Sequence, residues 1–282
     1  MTFLRLSQLC IAAACAASLS LINPSTSHAT EPLGTCYVQA DAAQAQEASM
    51  SQCAVLIGEQ IEASQASVAT GRWEEFELRV QNDGSYSLIK EGQAQGRYFW
   101  DPEKLVAFAT DDIDGFWQRE FESRGWDYTS PEAVQAYTRR MRTACGRTVP
   151  GNAFYCKASN SIYYDANLVK QGFTRVGDYA PVAIIAHEWG HVIQDLRGYF
   201  SNTRPSTSNT FKMEQMADCM AGAYTQDAEG RGVLGEGDVQ EATDLFSGLG
   251  GDRTHGTAKQ RVAAFQKGLK GGVDACVKGW KR

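Results

Sequence analysis

His187, Glu188 and His191 stand in the order H-E-x-x-H within His187-Glu188-Trp189-Gly190-His191. On a helix, residues four apart lie one turn apart on the same face, so both imidazoles project together and can grip one zinc ion. The glutamate between them can then take a proton from water on that metal. The letters are few enough to recur by chance, and two histidines on a helix are ordinarily satisfied core residues. Here, however, the chain has 4 histidines and the motif holds two of them.

The surrounding residues argue for the helix that would position the motif. At about 100° per residue, Val182, Ile185, Trp189, Val192, Ile193 and Leu196 line the side opposite the histidines, a stripe that faces a core. Apart from Ile184, the histidine side carries Ala180, Ala183 and Gly190, small residues expected where a metal and a substrate approach the backbone. Asp178 is the expected N-cap, and Pro181 falls in the first turn, where a missing N–H costs nothing.

Beyond a polar loop over residues 198–209, helical spacing resumes through Met213, Met216, Met220 and Tyr224. Glu214 and Asp218 share a face of this second helix with Ala217 and Ala221. A catalytic zinc ion usually has three protein ligands and an open position, and a carboxylate is an accepted third donor, which suits Glu214. Asp218, one turn further on, suits a hydrogen bond to the second ring N–H of a ligand histidine. Such an acidic pair is ordinarily a solvated helix face, and only the upstream motif reverses that reading. His255, before Gly256, is either an oxyanion-stabilising donor beside the metal or a loop cap bonded to backbone.

The chain has 282 residues, 43% of them hydrophobic, enough to bury the core of one large or two small domains. Residues 1–29 carry one charge, Arg5, an apolar run through Leu21 or Ile22, and Ser27-His28-Ala29 as a small-x-small cleavage site. This is the pattern of a secretory signal peptide; an uncleaved anchor is the alternative, although the run is short for a bilayer. Removing it takes the formal charge from −6 to −7, with 26 cations against 33 anions. An acidic chain without a basic run is a poor nucleic-acid binder, and no later stretch is apolar enough to cross a membrane. The expected location is therefore periplasmic or secreted, with no stable membrane insertion once the leader is cut.

Cys10 and Cys15 leave with the leader, and Cys36, Cys53, Cys145, Cys156, Cys219 and Cys276 remain. An even count in an exported chain implies three disulfides, with buried thiols as the alternative. Proximity favours Cys145 with Cys156 and Cys36 with Cys53, which leaves Cys219 with Cys276.

Residues 40–67 read as an amphipathic helix carrying Met50, Cys53, Leu56, Ile57 and Ile61. Residues 76–80 and 86–89 alternate around an Asn82-Asp83-Gly84 turn, and residues 98–100 could add a third strand to a small antiparallel sheet. A helix is expected over residues 111–124, with Ile113, Phe116, Trp117 and Phe121 on one side. Residues 133–141 read as a strand, with a helix as the alternative, and a disulfide-closed loop or hairpin over Cys145 to Cys156 and a strand over residues 161–164 follow before the motif helix.

His187-Glu188-x-x-His191 followed by Glu214-x-x-x-Asp218 resembles the gluzincin arrangement of thermolysin-type peptidases. More closely, four segments in this order resemble the bacterial neutral zinc metallopeptidase family over about residues 111–276. They are Cys145-Gly146, Phe154-Tyr155-Cys156, Glu214-x-x-Ala217-Asp218-Cys219-x-Ala221-Gly222 and Thr254-His255-Gly256-Thr257-x-x-Gln260-Arg261. In that family Tyr-Cys is typically followed by Pro-Ala-Asp, whereas Lys157-Ala158-Ser159 stands here. The resemblance implies an α+β, zincin-like metallopeptidase domain over residues 111–282, built around an active-site helix. A leader over residues 1–29 and a small helix-plus-antiparallel-sheet region over residues 30–110 would precede it.

The resulting expectation is an exported zinc-dependent metallopeptidase with one catalytic Zn2+ on His187, His191 and Glu214. Glu188 would be the general base on a metal-activated water, His255 would be a catalytic donor, and Asp218 would sit behind a ligand histidine. Its partner would be a peptide or protein substrate, held in extended form on a sheet edge as metallopeptidases commonly do. The rival readings are a non-catalytic, zinc-stabilised envelope binding protein with a fourth protein ligand such as Asp218, and a zinc amidase acting on cell-envelope amides.

Overall fold

The computed structural model describes residues 101–202, 206–235, 237–249 and 254–277, and before them Phe99 and the backbone of six short strands. Two compact units emerge, residues 1–105 with 232–236 and residues 106–231 with 237–282.

In the first unit, β1 (Cys36–Val38) and β2 (Gln46–Ala48) pair antiparallel. Residues 46–48 fall inside the stretch read as a helix, so there the pairing with β1 overrides an Ala/Gln/Glu-rich local preference. The rest of that stretch, the leader and the Cys36–Cys53 pairing lie outside the described residues. β3 (Thr70–Arg72), β4 (Glu77–Val80), β5 (Ser85–Lys90) and β6 (Gln93–Phe99) form an antiparallel sheet in chain order. Val80 faces Tyr86 across the turn at Asn82-Asp83-Gly84, as the alternation implies. The third strand is longer than expected, and β3 adds a fourth.

The second unit is helix-dominated α+β. Helix α1 (Pro102–Arg124) begins earlier than its apolar stripe suggests, at a Pro in the first helical position whose start is capped by Asp101, which accepts the Glu103 N–H at 2.8 Å. Ile113, Phe116, Trp117 and Phe121 are buried as expected. A three-stranded sheet follows, in the order β10 (Ala153–Cys156), β11 (Ser161–Asp165), β7 (Ala133–Tyr137). Central β11 is buried at every residue, runs parallel to β7 and antiparallel to β10. Between β7 and β10 the two-residue strands β8 (Arg142–Thr143) and β9 (Gly146–Arg147) form a small ladder, which the Cys145–Cys156 disulfide ties to β10.

Asp165 closes β11 and caps α2 (Ala166–Arg175), accepting the Asn167 N–H at 2.8 Å. Helix α3 (Tyr179–Leu196) carries the H-E-x-x-H motif and is buried on nearly every side, well beyond the stripe of Val182, Ile185, Trp189, Val192 and Ile193. Asp178 makes no side-chain capping bond. The Tyr179 N–H is instead accepted by Glu241 Oε2 at 2.9 Å, from a helix 62 residues away in sequence. A carboxylate brought by the tertiary fold thus does what the adjacent aspartate was expected to do.

After the turn Tyr199–Asn202 come α4 (Thr207–Gly230), α5 (Asp238–Gly248) and α6 (Ala258–Cys276). Ser206 caps α4, and Thr257 with Gln260 forms a capping box at the start of α6. Helices α4 and α6 cross backbone to backbone. A β-carbon on Gly222 would lie 2.0 Å from the Phe265 carbonyl oxygen, and one on Gly268 1.8 Å from that of Cys219. The Cys219–Cys276 disulfide, the second bridge among the described residues, fastens the same pair of helices. No described helix is long and apolar enough to cross a membrane.

Candidate metal centre

Helices α3 and α4 approach closely at a glycine. A β-carbon on Gly190 would sit 2.7 Å from Ala217 Cα, so the small residue between the histidines admits the neighbouring helix. This corrects the expectation that the small face exists to admit metal and substrate: at Gly190 it admits protein backbone. The rotation of α3 is held from its other side, where Trp189 Nε1 donates to the Tyr128 hydroxyl at 3.0 Å and that hydroxyl donates to Asp114 at 2.7 Å.

The approach brings Glu214 to the two histidines. One ligand atom from each of His187, His191 and Glu214 lies within 4.8 Å of the others, a grouping that could hold a metal ion. His187 Nε2 is 3.2 Å from Glu214 Oε2, and His191 Nε2 is 3.7 Å from Glu214 Oε1. Each ring has its other nitrogen engaged. His187 Nδ1 is 2.7 Å from Asp218 Oδ1, and His191 Nδ1 is 3.0 Å from Gln194 Oε1. The Gln194 amide is oriented by its own bond from Nε2 to the Met213 carbonyl at 2.7 Å, which leaves its oxygen toward the ring. Both Nδ1 atoms therefore face acceptors and both Nε2 atoms face Glu214, the arrangement a neutral imidazole ligand requires. Glu214 Oε2 is buried and accepts no hydrogen bond, an orphaned oxygen that a cation would satisfy. Two imidazoles and a carboxylate are a fitting donor set for catalytic zinc.

Asp218 is fully buried and held by a partner that the sequence reading left without a role. Arg261, at the start of α6, donates from Nη2 to Asp218 Oδ1 at 2.6 Å and from Nε to Oδ2 at 2.9 Å. A planar guanidinium meets a carboxylate in this two-point fashion and fixes the carboxylate plane. The chain Arg261, Asp218, His187 thus runs from α6 through α4 to α3. The motif Gln260-Arg261 contained the signal, but nothing local showed where the guanidinium would point. Gln194, three residues after His191 on the same face of α3, was legible from helical spacing.

Electrostatics follow from this crowding. Burial opposes a charge on His187, yet the hydrogen bond to Asp218, the close approach of Glu214 and the fields of Asp218 and Glu188 outweigh it and raise its pKa to about 10. Burial likewise opposes a charge on His191, and the close approach and field of Glu214 raise the pKa. Burial would raise the carboxyl of Glu214, but the two histidines hold it well below the ordinary range. Glu188 is pushed up, chiefly by burial, against the opposing pull of His187, His191 and a hydrogen bond from the Tyr155 backbone. Proton affinity is thus raised at Glu188 and lowered at Glu214.

His255 stands at the rim with its ring Nε2 3.5 Å from Glu214 Oε2 and its side chain 41% exposed. Its carbonyl accepts from Gln215 Nε2 at 2.9 Å, so the loop is pinned through backbone while the ring faces the site. The rings of Phe200 and Phe246 flank His191 and His187, with centroids 6.3 and 6.4 Å away. A separate buried group, Asp178, Asp238 and Glu241, gathers where Glu241 caps α3.

Residues 55–278 match the protein family described as "Putative neutral zinc metallopeptidase". The chain is 33% identical over 187 residues to the uncharacterized protein YpfJ of Escherichia coli K12, an alignment covering 56% of this chain and 64% of the relative. It is 28% identical over 178 residues to the uncharacterized protein Rv2575 of Mycobacterium tuberculosis H37Rv, covering 51% and 60%. The alignments thus span less than two thirds of the length of these relatives. No solved structure matches the chain.

Proposed function

This chain belongs to the family described as "Putative neutral zinc metallopeptidase", and from that premise we propose that it is a zincin-like enzyme hydrolysing peptide bonds. In this reading α3 is the active-site helix and His187, His191 and Glu214 hold one zinc ion. The observation that carries it is the convergence of the His187 and His191 Nε2 atoms on the Glu214 carboxylate, one toward each oxygen, with Oε2 left without a hydrogen bond. Bound there, zinc supplies a Lewis acid that lowers the pKa of water and polarises a carbonyl.

The chain's own residues do the rest. Asp218 and Gln194 hold the imidazoles in the tautomer that leaves each Nε2 lone pair available. Glu188, buried and with its proton affinity raised, accepts the proton of the attacking water and passes it to the leaving amine. His255 donates to the oxyanion that develops at the rim. The two disulfides support an exported chain, periplasmic or secreted, acting on peptides or proteins.

Of the rival readings, a four-ligand binding site with Asp218 on the metal is disfavoured. Asp218 Oδ1 already serves His187 and Arg261, and Oδ2 serves Arg261. A zinc amidase would use the same residues and differ only in substrate. The test is purified wild type and Glu188→Gln, each assayed for zinc content and for cleavage of a peptide library and of cell-envelope amides. The variant is expected to keep zinc and lose hydrolysis. Equal cleavage by both proteins sinks the enzymatic role of Glu188, and turnover of envelope amides alone replaces the peptidase with an amidase.

A further inference from the structure

Residues 133–164 contain Arg139, Arg140, Arg142, Arg147 and Lys157 and no Asp or Glu. Because the whole chain carries −6, the remaining residues carry −11, with 22 cations against 33 anions. The overall balance therefore hides a segment of opposite sign. Lys157 is paired with Asp195. The four arginines are all exposed, and among the described residues none of their side chains has an ion-pair partner.

Their arrangement is costly by itself. Arg142 lies directly opposite Arg147 in the β8–β9 ladder, and like charges facing one another across strands destabilise the pair. The segment cannot relax by opening, because three constraints hold it. The Cys145–Cys156 disulfide ties it to β10, and the Tyr137 hydroxyl lies 2.7 and 2.6 Å from the Val149 and Asn152 carbonyls. Met141 and Thr148 also exchange bonds, Met141 N–H to Thr148 Oγ1 at 2.9 Å and Thr148 N–H to the Met141 carbonyl at 3.0 Å. Beside Arg147, Val149 is 56% exposed, the more exposed of the two large apolar side chains at the described surface. A local conflict kept in a rigid frame is a mark of function rather than of folding.

We propose that this arginine-bearing tip is a docking surface for the anionic phospholipid headgroups of a bilayer. Guanidinium groups take phosphate oxygens in two-point contacts, and an apolar side chain among them settles at the headgroup boundary. An acidic peptide or a nucleic acid would answer the charges but leave Val149 in water. The frame is rigid beforehand, so little ordering entropy opposes binding. The surface is independent of hydrolysis and would hold the enzyme against a membrane without inserting into it.

The full chain is tested by co-sedimentation with vesicles of equimolar phosphatidylglycerol and phosphatidylcholine and with vesicles of phosphatidylcholine alone, the second reading out any contribution of an apolar leader. Binding is expected on the mixed vesicles, weakening with added salt, and falling roughly fivefold for each arginine replaced by serine. Two double variants, Arg142→Ser with Arg147→Ser and Arg139→Ser with Arg140→Ser, supply this comparison. The first should melt no lower than wild type at low salt, since it removes a repulsion. Glu188→Gln should bind as wild type does, whatever becomes of its hydrolysis. Equal binding to both vesicle types, undiminished binding by folded arginine variants, or tighter binding to poly-glutamate than to mixed vesicles would each overturn the proposal, the last in favour of an acidic polypeptide.

Discussion

Ala217 occupies the space into which a side chain on Gly190 would grow, its Cα 2.7 Å from where that β-carbon would be. Glu214 lies one turn before Ala217 on α4, and His187 and His191 lie three residues before and one after Gly190 on α3. The glycine inside H-E-x-x-H is thus what lets the third candidate ligand reach the other two. A helix-interior glycine costs roughly 0.5–1 kcal/mol relative to alanine, a penalty accepted here because alanine does not fit.

Gly190→Ala should therefore push α3 and α4 apart. The expected cost is about 1–3 kcal/mol of stability from overpacking, accompanied by loss of bound zinc although every candidate ligand is intact. Thermal melting and metal analysis of the purified variant decide it. Full zinc content at an unchanged Tm would remove the argument.

The raised proton affinities of His187 and His191 make metal uptake a competition with protons. The pKa of His187 is about 10 in the fold against 6.5 for an ordinary histidine. Zinc affinity should therefore rise with pH up to about that value, and binding should release protons from both rings. In chelator-stripped protein the sign is opposite. The stabilisation from protonated His187 is fully present below 6.5 and is lost as pH rises through about 10. Calorimetric titration in buffers of different ionisation enthalpy counts the protons, and melting curves across pH check the stability limb. A pH-independent zinc affinity would contradict both.

Arg261→Met should leave the Asp218 carboxylate buried with one partner in place of two. Removing one member of a buried pair costs about 3–5 kcal/mol, and loosening the group behind a ligand histidine typically lowers metal affinity or activity about 10–100-fold. Arg261→Lys restores the charge but not the two-point geometry, so it should recover stability more fully than zinc affinity. If lysine rescues both alike, the guanidinium acts only as a charge.

Glu241→Ala tests the long-range cap of α3. With the acceptor for the Tyr179 N–H gone, the first turn should fray at a cost of about 0.5–2 kcal/mol. The candidate ligands His187 and His191, two turns or more further along, should stay in place. Faster amide exchange confined to the start of α3, with zinc content unchanged, is the expected result, and global unfolding or no change in exchange would count against the cap.

Local periodicity made much of this molecule legible. A spacing of four puts His187 with His191 and Glu214 with Asp218 on single helix faces, and alternation around Asn82-Asp83-Gly84 marks the β4–β5 hairpin, because both patterns are set by backbone geometry within a few residues. Both expected disulfides that fall among the described residues, Cys145–Cys156 and Cys219–Cys276, are present, the first following from short chain separation alone. Residues 46–48 misled because a helix-favouring composition is a weak preference that a strand partner can override.

What no local pattern could decide is which faces meet. Glu241 rather than Asp178 caps α3, Arg261 rather than solvent answers Asp218, and Gly190, Gly222 and Gly268 are small because a neighbouring backbone passes where their side chains would stand. Periodicity along a chain specifies the direction of each side chain from its own helix axis. The distance between two axes depends on packing among residues far apart in sequence, and on that distance the meeting of Glu214 with His187 and His191 depends.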